Sequence, residues 1–305
     1  MIILGKKYLF NEMELVFMQK KSGNLSWLSF SQSNFATLKN SIDEIIAKHG
    51  PQRIVLNSRQ NPTNELLAYL TRLELEGNSF ITTEHFMESE LNKCYIPEDN
   101  SDLNYLQNIS AYTPFQYFQK RIVDYIGTIG LLLVSWPVML YTAYRIKKES
   151  AGPVFFQQSR VGINGNVFQC IKFRSMHVDM DYDPYTRKDD PRIFPYGKFI
   201  RRTRIDELPQ LFNVLKGDMH FVGPRAEWDI LVKEYEKEIP FYQKRHLVRP
   251  GITGNAQVNY PYGQNLDDTR QKLMYDFYYI KHWSFLRDVK IIYKTIYIVL
   301  EKKGL

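Results

Sequence analysis

One stretch of the chain carries no charge over 20 residues, and it limits the fold more than any other feature. From Tyr125 to Tyr144 the sequence reads YIGTIGLLLVSWPVMLYTAY, without Asp, Glu, Lys or Arg. A helix needs about 20 mainly apolar residues to cross the hydrocarbon core of a bilayer. The segment is therefore long enough to enter a membrane.

Two features of this stretch argue against a simple crossing. Pro137 lies in its middle, where proline removes a backbone hydrogen bond and clashes with the preceding turn. Both ends are basic, and the positive-inside tendency keeps basic ends in the cytoplasm; the residues are Lys120, Arg121, Arg145, Lys147 and Lys148. We therefore expect a re-entrant helix over about 121–147, with the Ser135 hydroxyl covering backbone groups freed at Pro137. An ordinary kinked transmembrane helix is the alternative.

The net charge of +7 is unevenly distributed along the chain. Residues 1–115 carry a net charge of −3, whereas residues 116–305 carry +10. The basic part predicts anionic partners such as phosphates or an acidic membrane surface. Nucleic acid is not among the expected partners, because no recognised motif is present and the charge clusters at turns and membrane flanks.

Residues 1–115 predict a small α/β domain. The segments NFATLKNSIDEIIAKHGP and NPTNELLAYLTRLELEG have helical periodicity, and they alternate with the short apolar strands RIVLNS and SFITT. Such alternation is typical of a reduced doubly wound, Rossmann-like sheet. Neither GxGxxG nor GxxxxGK[ST] occurs, so the sequence favours a regulatory or docking domain over a nucleotide site.

Two helices are predicted at the end of the chain, in DDTRQKLMYDFYYIKHW and SFLRDVKIIYKTIYIVLEKKG. The second places Val289, Ile292, Ile296 and Val299 on one side. This pattern fits a helix on a membrane surface, and packing in a protein core explains it almost as well.

The segment RRTRIDELPQLFNVLKGD places two adjacent carboxylates, Asp206 and Glu207, behind three arginines. Because proline is tolerated only in the first turn of a helix, Pro209 predicts a helix with Asp206 at the N-cap and Glu207 at the first position, and Gly217 predicts its end. The helix dipole and Arg201, Arg202 and Arg204 would then favour the ionised carboxylates. Capping alone is one explanation for Asp206.

Phosphate chemistry is the other explanation. An ionised carboxylate can attack phosphorus or bind Mg²⁺, and phosphoryl transfer also needs cations around the phosphate oxygens. Arg225 follows a Gly-Pro turn in HFVGPRAE, and Arg249 precedes a Pro-Gly turn in HLVRPGITG. Lys172 lies on the predicted strand FQCIKFRSM. Their recurrence beside turns predicts a phosphate-binding site.

The chain resembles the bacterial sugar transferases, the monotopic phosphoglycosyl transferases that act on polyprenyl phosphate. The resemblance is carried in order by KRIVDYIGTIGLLLVSWPVML, GPVFFQQSRVGINGNVFQCIKFRSM, RTRIDELPQLFNVLKGDMHFVGPR, RPGITGNAQVN and YDFYYIKHWSFLRDVKII. It covers residues 116–303. More weakly, residues 1–115 resemble a shortened form of the Rossmann-like domain that precedes the catalytic part of longer members, an arrangement consistent with a homodimer.

The resemblance implies an α+β catalytic domain over residues 116–305 that moves a sugar-1-phosphate from a UDP-sugar to undecaprenyl phosphate and releases UMP. The reaction would occur at the cytoplasmic face of the bacterial inner membrane and would initiate glycan assembly. It implies that Asp206 attacks the β-phosphate and that Glu207 helps to hold Mg²⁺. Arg225 would bind phosphate, with Arg204 and Arg249 as further cations, and Lys172 and Asp276 match other polar positions of the site.

Two residues depart from the family pattern. Trp136 stands between Ser135 and Pro137, where the family often has Ser directly before Pro. Ala226 replaces the second proline of the family's Gly-Pro-Arg-Pro turn, which predicts a less rigid turn. A non-enzymatic alternative is a membrane-anchored binding or assembly factor, in which the two carboxylates only cap a helix and face solvent.

Overall fold

The computed structural model of the chain describes residues 1–30, 35–59, 62–98, 109–178, 190–261 and 265–301. The chain divides into two compact units, Met1–Tyr95 and Ile96–Leu305. Both contain helices and parallel strands, so the α/β class is confirmed. The division falls earlier than residue 116, where the sequence places the start of the catalytic domain, and that domain boundary stays a prediction.

The first unit is built on a parallel sheet of four strands in the order β2-β1-β3-β4. The strands are β1 (Ile2–Leu4), β2 (Ser26–Leu28), β3 (Arg53–Leu56) and β4 (Ser79–Thr82). The helices are α1 (Glu12–Ser22), α2 (Phe35–His49), α3 (Asn64–Leu75) and α4 (Thr83–Phe86), followed by a π-helical turn at Met87–Leu91.

Both faces of this sheet are covered. Ile2 and Ile54 pack in one core with α2 and α3. Ile3 and Val55 follow them on the strands, point to the opposite face because side chains alternate, and are fully buried as well. Parallel sheets covered on both faces are the usual result of strands joined by helices.

The described part of the second unit contains one long helix, four short strands and a series of shorter helices. The helices are α5 (Pro114–Glu149), α6 (Pro195–Arg202), α7 (Gln210–Lys216), α8 (Asp229–Glu238), α9 (Asn255–Asn259), α10 (Leu266–Lys281) and α11 (Phe285–Leu300). The strands are β5 (Phe155–Val161), β6 (Val167–Phe173), β7 (His220–Val222) and β8 (Gly251–Thr253). Strands β5 and β6 form an antiparallel pair, and β7 and β8 a parallel pair.

Helix α5 contains the uncharged stretch and runs without interruption through Pro137. One stripe along it is buried inside the unit; its residues include Lys120, Asp124, Thr128, Ser135, Met139, Thr142 and Ile146. The opposite side exposes large apolar side chains, among them Ile126, Leu133, Val134 and Leu140. Because both ends of the buried stripe pack on the same unit, that unit lies along the helix rather than at one end of it.

The predicted break at Pro137 is not visible as an end of the helix, so the re-entrant path stays a prediction. The Ser135 hydroxyl donates to Met139 Sδ at 3.8 Å instead of to a backbone carbonyl near Pro137. Helix α5 has the length and composition of a membrane-spanning helix, and about a fifth of its most apolar window (22%) is buried in the protein.

The last helix, α11, has its apolar side exposed rather than packed in a core. Val289, Ile296 and Tyr293 are each about half exposed or more. Its buried side is narrow and includes Asp288 and Ile291. Of the two interpretations that the sequence leaves open for this helix, the exposed apolar side agrees with the membrane-surface one.

A buried polar network joins the first turns of α5 to the rest of the unit. Lys120 Nζ donates to Asp288 Oδ2 at 2.9 Å, to Tyr279 Oη at 2.7 Å and to the Val222 carbonyl at 2.5 Å. Four residues farther along, Asp124 accepts from His220 Nδ1 at 2.6 Å and from the backbone of β7. Lys120, Asp124 and Asp288 are all 0% exposed. The network therefore fixes α5 to strand β7, which leads directly into the Gly-Pro-Arg turn.

Candidate active site

The two adjacent carboxylates lie in a tight turn and not at the start of an α-helix. Helix α6 ends at Arg202, and Arg204 then adopts a left-handed backbone with φ 60°. Ile205–Glu207 form one 3-10 turn, and α7 begins only at Gln210. The prediction that Asp206 is an N-cap was wrong, because a 3-10 turn forms before Pro209 and Pro209 itself stands at the N-cap. The predicted end at Gly217, with φ 93°, is confirmed.

Three cations from different parts of the chain meet on one oxygen of Glu207. Glu207 Oε1 lies 3.3 Å from an Arg225 nitrogen, 3.5 Å from Lys172 Nζ and 3.6 Å from an Arg204 nitrogen. Lys172 comes from β6, Arg204 from the strained turn and Arg225 from the Gly-Pro-Arg turn. The fold thus assembles a cluster of positive charge around a buried carboxylate.

Asp206 stands beside this cluster but receives no comparable contact. Its Oδ1 is buried and has no hydrogen-bond partner among the described residues. An unsatisfied buried acceptor costs roughly 1–3 kcal/mol, so such an atom marks a place where a ligand can supply the missing partner.

The two carboxyl groups titrate in opposite directions. Burial, followed by the charge of Glu207, raises the pKa of the Asp206 carboxyl to about 6. Burial alone would raise the pKa of Glu207 too, but the charges of Lys172, Arg225 and Arg204 outweigh it and hold that pKa well below its usual range. Because the three cations contact Glu207 and stabilise its ionised form, the repulsion between the two carboxylates raises the pKa of Asp206 instead. At neutral pH both are ionised, and Asp206 is the more basic carboxylate.

The turn that presents Arg225 is held by its backbone carbonyls. Each of four consecutive carbonyls accepts a hydrogen bond from outside the turn. The pairs are Pro224 with Gly251 N at 2.8 Å, Arg225 with Arg245 at 2.9 Å, Ala226 with Arg160 at 2.7 Å and Glu227 with Val161 N at 3.1 Å. The expectation that Ala226 loosens this turn is therefore offset by hydrogen bonds that do not depend on the ring of a second proline.

Asp276 and Arg249 lie outside the cluster around Glu207. Asp276 is buried and accepts from Arg245 at 3.0 Å, so among the described residues its hydrogen bonds lead to the site through Arg245 and the Arg225 carbonyl. Arg249 donates to the hydroxyl of Tyr117 on α5, and its guanidinium lies 5.0 Å from the centre of that ring. Of the residues predicted from the sequence, the structure brings Asp206, Glu207, Lys172, Arg204 and Arg225 together directly.

The sequence did not single out three charged residues of this region, Arg160, Arg245 and Glu227. Arg160 and Arg245 grip the Gly-Pro-Arg turn, and the charges of both, with that of Arg225, hold the pKa of Glu227 below its usual range despite its burial. Arg160 lies on β5, whose sequence FFQQSRV does not alternate between apolar and polar residues and so gave no signal for the face of Arg160. Arg245 lies in a short 3-10 segment, Tyr242–Leu247, whose charged composition gave no sign of burial.

The donor set is compatible with Mg²⁺. No group of three or more His, Cys, Asp or Glu side chains that could hold a metal occurs in the described parts of the chain. Mg²⁺ is commonly held by one or two carboxylates together with substrate phosphates and water. Glu207 and the unbonded oxygen of Asp206 supply that kind of incomplete set.

Comparisons with known proteins identify the same part of the chain. Residues 115–302 match the family described as bacterial sugar transferase. Over 194 residues the chain is 47% identical to a UDP-N-acetylgalactosamine-undecaprenyl-phosphate N-acetylgalactosaminephosphotransferase from Aeromonas hydrophila, which covers 63% of this chain and 46% of that protein. It is 37% identical over 204 residues to the undecaprenyl-phosphate galactose phosphotransferase of Salmonella typhimurium, covering 61% and 41%.

A shorter relative is matched over most of its length. The UDP-glucose:undecaprenyl-phosphate glucose-1-phosphate transferase of Caulobacter vibrioides is 40% identical over 182 residues, which are 58% of this chain and 68% of the relative. The longer relatives are spanned over less than half their length. The matched region contains α5, the carboxylate pair and the cations around it, and with these features the chain belongs to the bacterial sugar transferase family.

Proposed function

We propose that the chain transfers a sugar-1-phosphate from a UDP-sugar to undecaprenyl phosphate and releases UMP. The observation that carries the proposal is Asp206, a carboxylate with an unbonded buried oxygen beside a neighbour held by three cations. The activities named for the relatives support the reaction class, because each joins a sugar phosphate to undecaprenyl phosphate. These relatives act on different sugars.

In the first half-reaction, an oxygen of Asp206 attacks the β-phosphorus of the UDP-sugar. A bond forms between that oxygen and phosphorus, and the bond from phosphorus to the bridging oxygen of the diphosphate breaks. UMP leaves with the bridging oxygen and its electron pair. The sugar phosphate remains on Asp206 as a mixed anhydride, which divides one difficult displacement into two easier ones.

In the second half-reaction, a phosphate oxygen of undecaprenyl phosphate attacks the same phosphorus. The bond to Asp206 breaks, the carboxylate is regenerated, and undecaprenyl diphosphate-sugar is the product. Phosphoryl transfer gains most from positioned positive charge around the equatorial oxygens. Arg225, Lys172 and Arg204 are placed to supply it, while Glu207 keeps these cations oriented.

Mg²⁺ is part of the proposal. Glu207 would hold the ion together with phosphate oxygens of the donor, and Asp206 is the second carboxylate within reach of the same region. When bound, the ion supplies further charge stabilisation for the diphosphate.

The lipid acceptor requires a site at the membrane. We propose that α5 enters the cytoplasmic face of the inner membrane without crossing it, and that α11 lies on that surface. The exposed apolar sides of both helices support this arrangement, as does the burial of the α5 stripe against a single unit. Residues 1–115 would form a reduced Rossmann-like regulatory or docking domain outside the bilayer.

The proposal is tested by trapping the intermediate. The purified chain is incubated with Mg²⁺ and a set of UDP-sugars in the absence of lipid acceptor, quenched, digested and examined by mass spectrometry. A sugar-phosphate adduct is expected on the peptide containing Asp206. Addition of undecaprenyl phosphate should discharge it.

Asp206→Asn is the matched control, because asparagine keeps the size and polarity of the side chain and removes the nucleophile. This variant should form no adduct and lose UMP release by at least about 10³-fold. Unchanged UMP release in Asp206→Asn would overturn the covalent mechanism. If the wild type releases no UMP with any donor, the non-enzymatic binding factor becomes the better description.

A further inference from the structure

The Arg225 carbonyl is gripped by a guanidinium that the proposed mechanism does not use. Arg245 is 6% exposed and donates to three oxygens, on Arg225, Asp276 and Tyr242. Its carboxylate partner Asp276 is 2% exposed. A buried ion pair of this kind is poor evidence for stability by itself, since desolvation offsets most of the attraction between its charges.

The position of the pair suggests another role. Arg225 reaches Glu207 through its side chain at 3.3 Å, and its own carbonyl is fixed by Arg245 at 2.9 Å. A guanidinium has several donors in a rigid plane, so it can hold a carbonyl, a carboxylate and a hydroxyl in fixed directions at once. The chain of contacts runs from Asp276 through Arg245 and the backbone of Arg225 to Glu207.

We propose that Arg245, held by Asp276, is a positioning residue that sets the placement of the Arg225 guanidinium relative to Glu207. Neither Arg245 nor Asp276 touches the carboxylate pair among the described contacts. Both therefore act on the reaction through Arg225. The inference rests on the proposed function only where the effect is read through UMP release.

A double-mutant cycle tests this role. Arg245→Lys keeps the charge but loses the planar set of donors, and it should lower kcat/KM for UMP release by about ten- to a hundredfold. Arg225→Lys keeps residual charge at the site and provides the second background. If Arg245 acts through Arg225, the same Arg245→Lys change should cost less than about threefold in that background.

Arg174→Lys is the matched control. Arg174 is also a buried arginine that donates to two backbone carbonyls, those of Ser150 and Ala151, and neither of these two hydrogen bonds is to the Gly-Pro-Arg turn. The factors by which Arg174→Lys and Arg225→Lys lower kcat/KM should multiply in the double variant, as those of independent substitutions do. A loss from Arg245→Lys that multiplies in the same way would show a merely structural role and overturn the proposal.

A second readout does not depend on activity. Hydrogen–deuterium exchange of the backbone over residues 222–228 should accelerate in Arg245→Lys, and more weakly in Asp276→Asn, while Arg174→Lys leaves it unchanged. Unaltered exchange in both Arg245→Lys and Asp276→Asn would contradict the proposal even if the chain releases no UMP. Absence of UMP release in the wild type counts against the proposed function alone.

Discussion

Two regions of the second unit contain buried acidic side chains, and the hydrogen bonding of these carboxylates differs between them. At the start of α5, Asp288 accepts from Tyr279 through one oxygen and from Lys120 and Trp283 through the other. At the carboxylate pair, Asp206 keeps a buried oxygen without a partner. The fully hydrogen-bonded Asp288 serves to fix structure, whereas the unsatisfied oxygen of Asp206, beside the cations on Glu207, is available for a ligand or a reaction.

The largest expected effect is a loss of folding stability when Asp288, in the fully hydrogen-bonded region, is changed. Asp288→Asn should lower the free energy of unfolding by about 3–5 kcal/mol, because it leaves Lys120 charged and buried without its counter-ion. The measurement is denaturant unfolding of the detergent-solubilised chain. The double variant Lys120→Met/Asp288→Leu should recover most of the loss, since removing both charges also removes their desolvation cost. A loss below about 1 kcal/mol in the single variant would contradict the structural role of this network.

A second expected difference lies within the carboxylate pair. Folding raises the pKa of Asp206, so the ionised Asp206 destabilises the native state, and that penalty grows as pH rises from about 4 to about 6. Asp206→Asn should therefore be more stable than the wild type at pH 7.5. The difference should shrink by up to about 1.4 kcal/mol for each pH unit as pH falls through that window.

Glu207→Gln should behave in the opposite way. The folded-state pKa of Glu207 is lowered, so its ionised form stabilises the native state above its ordinary pKa of 4.5. The variant should be less stable than the wild type at pH 7.5, and the deficit should disappear as pH falls below about 4.5 toward the lowered pKa. Thermal unfolding from about pH 2 to 8 covers the titration of both carboxylates. At pH 7.5, stability changes of the same sign in the two variants would refute the opposite effects of the two carboxylates.

The pH dependence of activity gives a third, smaller effect. In the proposed mechanism only the ionised Asp206 attacks phosphorus, so the rate of UMP release should fall about tenfold for each pH unit below about 6 and level off above it. In Glu207→Gln the midpoint should move to lower pH, because the charge of Glu207 contributes to the raised pKa. A wild-type rate that is constant from pH 5 to 7 would exclude titration of Asp206 in the reaction.

The smallest effect concerns the strained turn. Arg204 has φ 60°, which costs a side chain other than glycine roughly 1 kcal/mol. Asparagine tolerates this backbone, so Arg204→Asn should change the free energy of unfolding by less than about 0.5 kcal/mol while lowering UMP release. Arg202→Asn, at the end of α6 with ordinary backbone, is the control and should lose about 0.5 kcal/mol. If Arg204→Asn clearly lowers the free energy of unfolding and Arg202→Asn does not, the positive φ of Arg204 is not a strain that is retained for function.

Local sequence signals predicted the elements whose ends are set by backbone chemistry. Gly217 ends α7 because it provides the left-handed backbone that the end of the helix needs. The start of the same helix could not be located from apolar spacing, because a 3-10 turn and an α-turn place nearly the same residues inward. In the first thirty residues, Asn11 and Glu14 form a capping box for α1, and their spacing of three residues is by itself a signal of a helix start.

The site itself was predictable in its charges but not in its connections. Asp206, Glu207, Lys172 and Arg225 stand out by type and by neighbouring turns. Packing between segments far apart in the chain brings Lys172 and Arg225 to Glu207. The same packing brings Arg249 to Tyr117 instead of to the site. No local pattern carries that information. The burial of Arg245 and Asp276 was hidden for the same reason.

The buried stripe of α5 limits how the chain could be re-engineered. Met139 and Ile146 share a hydrophobic core with Phe173, Tyr196 and Ile200, so the apolar helix is structural material of the unit that also carries the carboxylates. Replacing it with a generic membrane segment would remove the side chains that Met139 and Ile146 contribute to that core. Solubilising redesigns should therefore alter only its outward-facing side chains and leave the inward row untouched.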